Sequence, residues 1–192
     1  MTLECAAMAT GWIMTRSGRR FWPLAPRIED VDINDIAHAL SMCCRFQGMT
    51  SRFYSVAEHS VSVSSACFEQ GGIVAARYGL LHDAAEAYLG DVPRPLKKQD
   101  AFAPYRAAER ALERLIYERF WLNPDAEPDL VRHIDRRMLR AEQRDLMPPA
   151  WPGEIRDDCD AWPSPCVGYA PVAAYRMFLD AFSRLFGKGI GR

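Results

Sequence analysis

The chain lacks several features that would assign a function class at once. It has no run of about 18 apolar residues, so no segment is expected to cross a bilayer as a helix. It has no C-x-x-C pair. Of the six cysteines, Cys5, Cys43, Cys44, Cys67, Cys159 and Cys166, two are sequence neighbours in an awkward geometry for a mutual disulfide, so reduced thiols and a cytoplasmic location are expected. The opening MTLECAAMATGWIMTR carries Glu4 and no basic region ahead of its short apolar stretch, and does not read as a signal peptide. Neither sign of charge dominates. Lys plus Arg number 24 and Asp plus Glu 25, which leaves no overall field to draw nucleic acid or an anionic membrane, so any bound anion must be held locally. There is no internal repeat, no low-complexity tract and no shift in composition, and 192 residues suffice for one domain with a sizeable core.

What is there reads as helix. Two short apolar runs, Trp12 to Met14 and Phe21 to Leu24, flank a Ser-Gly turn and predict a small β-hairpin, confined to an edge by Pro23 and Pro26. Asn34 is the predicted N-cap of a first helix bearing Ile36, Ala39, Leu40 and Cys43. A second helix, from YSVAEHS, is stopped by Gly71-Gly72, and a third, IVAARYGLLHDAAEAYL, is closed by Gly90 and barred from continuing by Pro93 and Pro95. A fourth, from Tyr105 to Leu122, carries the stripe Ala108, Leu112, Leu115, Ile116 and Phe120. A fifth ends before Pro148-Pro149, residues 148–171 are irregular, and a last helix over 172–186 presents Tyr175, Phe178, Leu179, Phe182 and Leu185 to the core. The expected class is all-α: a hairpin extension over 1–33, a helical core over 34–147, the irregular loop and the closing helix.

Three of these helices place an ionisable group where the pattern calls for an apolar one. His59 falls among Val56, Ser60, Val63 and Cys67; His82 among Val74, Tyr78, Leu81, Ala85 and Tyr88; Asp135 and Glu142 share a face with Val131 and Met138. Taken singly, a histidine on an apolar face is more often a hydrogen-bonded core residue, and Arg132, Arg136 and Arg137 offer Asp135 an ordinary ion pair. Together the groups suggest that buried imidazoles and carboxylates share a cation, because burying them unpaired costs several kcal/mol. The donor set suits Mn, Fe, Co, Ni or Zn better than Ca or Mg. Glu86 lies on the face of His82 and Asp83, and Asp91 follows the Gly90 stop, so both can turn toward such an ion and serve a water or a leaving oxygen. Arg45, Arg94 and Lys97 supply positive charge for an anionic substrate.

The order YSVAEHS, LLHDAAEAYLGDVPRPLK, HIDRRMLRAE resembles the HD-domain metal phosphohydrolases over roughly residues 34–142. The middle segment, H-D-x-x-E-x-x-x-G-D-x-P-x-P-x-K, resembles the bacterial HD 5′-deoxynucleotidases; the upstream DIAHALSMCCRFQG is similar to shorter HD proteins that include the phage dATP triphosphohydrolase. The resemblance implies an HD helical bundle in which His59, His82, Asp83 and Asp135 ligate a divalent transition metal. It also implies hydrolysis of a nucleotide phosphate ester or anhydride by metal-bound water. Arg45 and Phe46 stand where the deoxynucleotidases carry an Arg-Trp pair against phosphate and deoxyribose. Their nucleoside-binding segment carries over to Asp91, Val92, Pro93 and Arg94, with arginine where a small polar residue is expected.

Glu86 would position water or move protons, Asp91 would meet the sugar or the leaving group, and Arg45 and Lys97 would stabilise charge on the phosphoryl oxygens. The expected partner is a small-molecule (deoxy)nucleotide, mono- or triphosphate, with neither nucleic acid nor membrane. His38 is read as a core histidine, and His133 faces away from Asp135. A non-catalytic nucleotide-binding regulator that keeps the metal for structure is the alternative; a di-iron oxygenase of HD type is weaker, since only His133 could add a ligand. Trp151, Trp162 and Tyr169 look exposed and suggest a homo-oligomer.

Overall fold

The computed structural model describes residues 11–149 and 159–187. The hairpin forms from β1 (Ile13–Met14) and β2 (Arg20–Phe21), antiparallel with Ile13 opposite Phe21. It is pinned from its turn, where Ser17 donates its N–H and its hydroxyl to the buried carboxylate of Asp35 at 2.8 and 2.7 Å. Phe21 is fully buried and stacks on Tyr88 with ring centroids 3.8 Å apart.

Helices α1 (Ile33–Met42), α2 (Val56–Leu81), α3 (Glu86–Leu89), α4 (Arg94–Lys97), α5 (Ala103–Arg119), α6 (Asp129–Leu146) and α7 (Pro171–Phe186) follow. The cap of α1 is Asp32 rather than Asn34: its side chain accepts the N–H of Asn34, which therefore sits inside the helix. α7 packs across α1 and α2, α6 lies along α2, and Phe120, Phe178, Phe182 and Phe186 join the single core cluster that begins at Phe21. Cys5 and Trp151 lie outside the described residues, and the other five cysteines are free thiols. Among the described residues no helix is long and apolar enough to cross a membrane.

The second and third predicted helices are the two arms of α2. Gly72 (φ 73°, ψ −167°) breaks the helix between them, a conformation that favours a residue without Cβ. The arms fold back on each other: the Ser64 hydroxyl donates to the Ala76 carbonyl at 2.8 Å, and a Cβ at Gly79 would lie 3.2 Å from the Ser64 Cα. The second arm ends at Leu81 instead of running on to Leu89. Residues 82–85 form a turn before the short α3, which closes at Gly90 (φ 80°). Tyr105 donates to the Gly90 carbonyl at 2.9 Å and holds that turn against α5.

The segment after Cys159 is irregular as expected, but Trp162 is buried, not exposed. Its ring lies under the Arg137 guanidinium and its backbone N–H donates to the Arg137 carbonyl, so it offers no surface for self-association. The segment is fastened by Glu58, a buried carboxylate that accepts the N–H groups of Val167, Gly168 and Tyr169 at 3.2, 2.9 and 2.7 Å.

Candidate metal centre

The folded-back arms of α2 decide where the histidines meet. The antiparallel register that sets Ser64 beside Ala76 continues toward the open end of the hairpin, where it brings His59 to His82; their Nε2 atoms are 3.3 Å apart. α6 then adds Asp135, whose Oδ1 is 3.2 Å from His59 Nε2 and 3.8 Å from His82 Nε2. The donor atoms of His59, His82 and Asp135 lie within 4.8 Å of one another and form a group that could hold a metal ion. The turn after α2 points Asp83 inward, with Oδ2 3.3 Å from His82 Nε2 and 3.6 Å from His59 Nε2. Two donors each about 2.1 Å from one ion stand about 3.0–3.4 Å apart at octahedral to tetrahedral angles. These spacings match the edges of such a polyhedron to within a few tenths of an ångström.

Both imidazoles are held from behind. His59 Nδ1 is 2.6 Å from Glu142 Oε1, and His82 Nδ1 donates to the Gly79 carbonyl at 2.9 Å. With Nδ1 the proton-bearing atom in each ring, the two Nε2 lone pairs face each other and two carboxylates, a juxtaposition that repels unless a cation or protons lie between them. The titration behaviour follows. Burial alone would lower both histidines, yet Glu142 and Asp135 around His59, and Asp83 and Asp135 around His82, raise them above the ordinary imidazole range. Burial pushes Asp83 and Asp135 up, and the neighbouring imidazoles outweigh it and hold both carboxyls far below the ordinary range.

Glu142 is fully buried on the face of Asp135, two turns further along α6, and besides His59 it binds Arg45, with Nη2 3.0 Å from Oε2. Arg45 also reaches Asp83 Oδ2 at 3.4 Å from Nη1 and lies 5.7 Å from the Phe46 ring centroid. Arg45 is thus a tie between two acids as much as a free anion ligand. None of the arginines near Asp135 in sequence pairs with it. Arg132 pairs with Asp129, Arg137 stacks on Trp162, and Arg136 has no ion pair among the described residues.

The centre opens into a cleft of about 770 Å³ that Asp83 and Asp135 line together with every residue read as substrate-binding: Arg45, Phe46, Asp91, Val92, Pro93, Arg94 and Lys97. One lip is the turn Arg45–Gly48, in which Phe46 (φ 54°) and Gln47 (φ 55°) both take the left-handed conformation. Gln47 crosses to the other lip and donates from Nε2 to the Asp91 carbonyl at 2.8 Å. Glu86 is buried in the cleft wall; Lys97 donates to its Oε1 at 3.2 Å, while Oε2 has no partner among the described residues. Burial, then the charges of Asp83 and Asp91, push Glu86 up to about 9, so it is protonated at neutral pH. Asp91 is raised as well, chiefly by burial. Lys97 is held in turn by Glu109 at 2.5 Å, and a second cavity of about 210 Å³ behind His82 is lined by Glu86, Glu109 and Glu113. His38 is half-buried with its ring edge toward Tyr175, and His133 is exposed on α6; neither is among the grouped donors.

No family model matches the chain. It is 35% identical over 184 residues to the uncharacterized protein YfdR of Escherichia coli (strain K12), an alignment that spans 91% of this chain and 95% of that protein. The chain belongs to the YfdR family. An uncharacterized protein of Rhodobacter capsulatus is 40% identical over 95 residues, about half of either chain (47% and 48%). The YfdR alignment covers nine-tenths of the chain and is therefore more than a match of one motif.

Proposed function

We propose that this YfdR-family chain is a metal-dependent phosphohydrolase of HD type, acting on the phosphate esters or anhydrides of (deoxy)nucleotides. The observation that carries the reading is the group of donor atoms of His59, His82 and Asp135, with Asp83, outside that group, placing Oδ2 3.3 and 3.6 Å from the two Nε2 atoms, beside a cleft of about 770 Å³. These four residues would hold a divalent transition ion, Mn, Co, Ni, Zn or Fe. Such an ion lowers the pKa of water and withdraws charge from phosphoryl oxygens.

The chain's own residues supply the rest. Glu142 and the Gly79 carbonyl fix the tautomers that turn both Nε2 lone pairs inward. Arg45 orients Asp83 and directs its positive edge into the cleft, where it stabilises charge on a bound phosphoryl group. Glu86 enters the reaction protonated: Lys97 occupies Oε1, so the proton rests on Oε2 and is available to a leaving alkoxide oxygen. Phe46, Val92 and Pro93 form the apolar wall for sugar and base, and Asp91 meets the sugar.

The test is purified protein reconstituted separately with each metal and assayed against deoxy- and ribonucleoside mono- and triphosphates, with His82→Ala and Glu86→Gln as controls. The expected outcome is release of nucleoside in the wild type. Rates should fall at least 100-fold in either variant, with metal lost only in His82→Ala. Tight nucleotide binding with no turnover under any metal would sink the reading.

A further inference from the structure

Lys97 stands in the wall between the cleft and the smaller cavity behind His82 and lines both, whereas Glu109, on α5, lines the rear cavity and not the cleft. The Lys97 ammonium is a point charge on a flexible stem and has two directions open to it. Turned to the rear, as observed, it donates to Glu86 Oε1 at 3.2 Å and to Glu109 Oε1 at 2.5 Å. Turned forward, it would meet a bound phosphoryl group, a task for which Arg45, Arg94 and Arg136 also line the cleft.

Three residues of α5 favour the rear position. Arg106 donates to the Lys97 carbonyl and, at 2.8 Å, to that of Gln99, which fixes the end of α4. The Tyr105 ring centroid lies 5.7 Å from the ammonium. Glu109 supplies the opposite charge, and because its side chain and that of Lys97 are only 22% and 21% exposed, the pair is screened less than one on the surface. A neutral carboxyl carries its proton on one oxygen, and the oxygen that accepts from Lys97 is not that one. We propose that Glu109 is a positioning residue that, by drawing Lys97 to the rear, fixes the Glu86 proton on Oε2 and keeps the lysine charge off the substrate.

This assignment rests on the phosphohydrolase reading and adds to it a residue that meets neither the substrate nor the metal centre. In the step it serves, a water oxygen bonds to phosphorus as the bond from phosphorus to O5′ breaks. O5′ leaves with the electron pair and takes the proton from Glu86 Oε2; the proton lost by water restores the carboxyl. Without Glu109 the ammonium is free to turn toward the phosphoryl oxygens, and the Glu86 proton is no longer confined to one oxygen.

Turnover and anion binding should therefore move in opposite directions in metal-loaded Glu109→Ala protein. Its kcat for a deoxynucleoside monophosphate, whose leaving alkoxide needs a proton, should fall about tenfold. With sulfur in place of the bridging O5′ the leaving thiolate needs none, and kcat should stay within about twofold of the wild type. Inorganic phosphate, titrated calorimetrically, should bind about tenfold more tightly to Glu109→Ala than to the wild type. Loss of a negative charge alone also favours phosphate, so the titration is repeated in a Lys97→Met background, where Glu109→Ala should change the affinity less than about twofold. Glu109→Gln, which keeps an acceptor at the same reach, should recover part of both effects. The assignment is overturned if the oxygen and sulfur substrates slow equally, if neither protein binds phosphate, if Glu109→Ala binds it no better, or if the gain persists without Lys97. Absence of turnover by the wild type would instead count against the phosphohydrolase reading, and the phosphate titrations would then decide whether Glu109 holds Lys97 out of the cleft.

Discussion

At the floor of the cleft, side chains project from the arms of one helical hairpin, the turn that follows it and a facing helix, and buried partners hold them from behind. At the rim they project from a left-handed turn, from a segment after a glycine stop and from an exposed arginine on α6, and they are half-buried or exposed. His59 is fully buried with both ring nitrogens engaged, whereas Gln47 and Arg136 are exposed. Regular elements fix distances to a few tenths of an ångström, which ion binding demands. Turns and exposed arginines fix them less tightly, which suits a surface that selects among substrates of similar shape. Substitutions at the floor should therefore change stability and metal affinity together, and those at the rim should change selectivity with little effect on either.

The sharpest way to break that division is Glu142. Its removal in Glu142→Ala leaves a guanidinium at 12% side-chain exposure with only the 3.4 Å contact to Asp83, and leaves His59 Nδ1 with no acceptor. A stability loss of about 3–5 kcal/mol in urea denaturation is expected, with metal affinity falling about 10- to 100-fold. Glu142→Gln separates the two effects. To satisfy Arg45 the amide oxygen must face the guanidinium, which turns the NH₂ group onto His59 Nδ1. That forces the ring proton onto Nε2, the atom facing the centre. Glu142→Gln should thus recover part of the lost stability and none of the lost affinity; an unchanged metal affinity would mean that the floor does not position its donors in this way.

Glu142 also marks how far the sequence could be read. His59, His82, Asp135 and Glu142 all announce themselves as polar exceptions on apolar stripes, and the Gly71-Gly72 stop is where the hairpin turns. What sequence does not carry is the pairing register of the two arms, which depends on the close approach at Gly79 and alone places residue 59 against residue 82. Without that register Glu142 reads as one more buried acid, not as the group that fixes a histidine tautomer. The rim was less legible for a different reason. Gln47 and Arg136 are polar residues at exposed positions, where no pattern separates a functional side chain from a solvated one. Nor does sequence show that Phe46 and Gln47 take a backbone conformation both disfavour. A tryptophan in a proline-rich stretch carries no sequence sign of burial, and Trp162 is buried because Arg137 covers its ring.

Glu86 lies between floor and rim, and its protonation sharpens the comparison through pH. Its folded pKa is pushed up to about 9 against an ordinary 4.5, so between those values the native state holds a proton that the unfolded state has released. The stabilising contribution is complete below about pH 4.5 and is lost as pH rises toward 9. Glu86→Gln keeps the shape and removes the titration. Native stability should rise by several kcal/mol, up to about 4–5, at pH 8 and by about 1 kcal/mol or less at pH 5, with activity lost at both. Equal effects at the two pH values would place the carboxyl in contact with water and remove its role as a proton donor.

The smallest expected effect isolates the rim itself. Gln47→Ala deletes the 2.8 Å hydrogen bond to the Asp91 carbonyl while keeping a Cβ in the left-handed conformation, so the strained turn loses its latch. Gln47→Gly deletes the same bond and relieves the strain, because glycine visits positive φ without the steric cost that other residues bear, about 1 kcal/mol. The alanine variant should lose about 0.5–1.5 kcal/mol, and the glycine variant should be the more stable of the two by up to about 1 kcal/mol, less the extra entropy that glycine gives up on folding. Both should bind metal as the wild type does. If the Gln47–Asp91 bond sets the width of the cleft, both should also raise KM for nucleotide by the same factor, whatever their stabilities. A KM that tracked stability instead would mean that Phe46, and not the latch, shapes the mouth of the cleft.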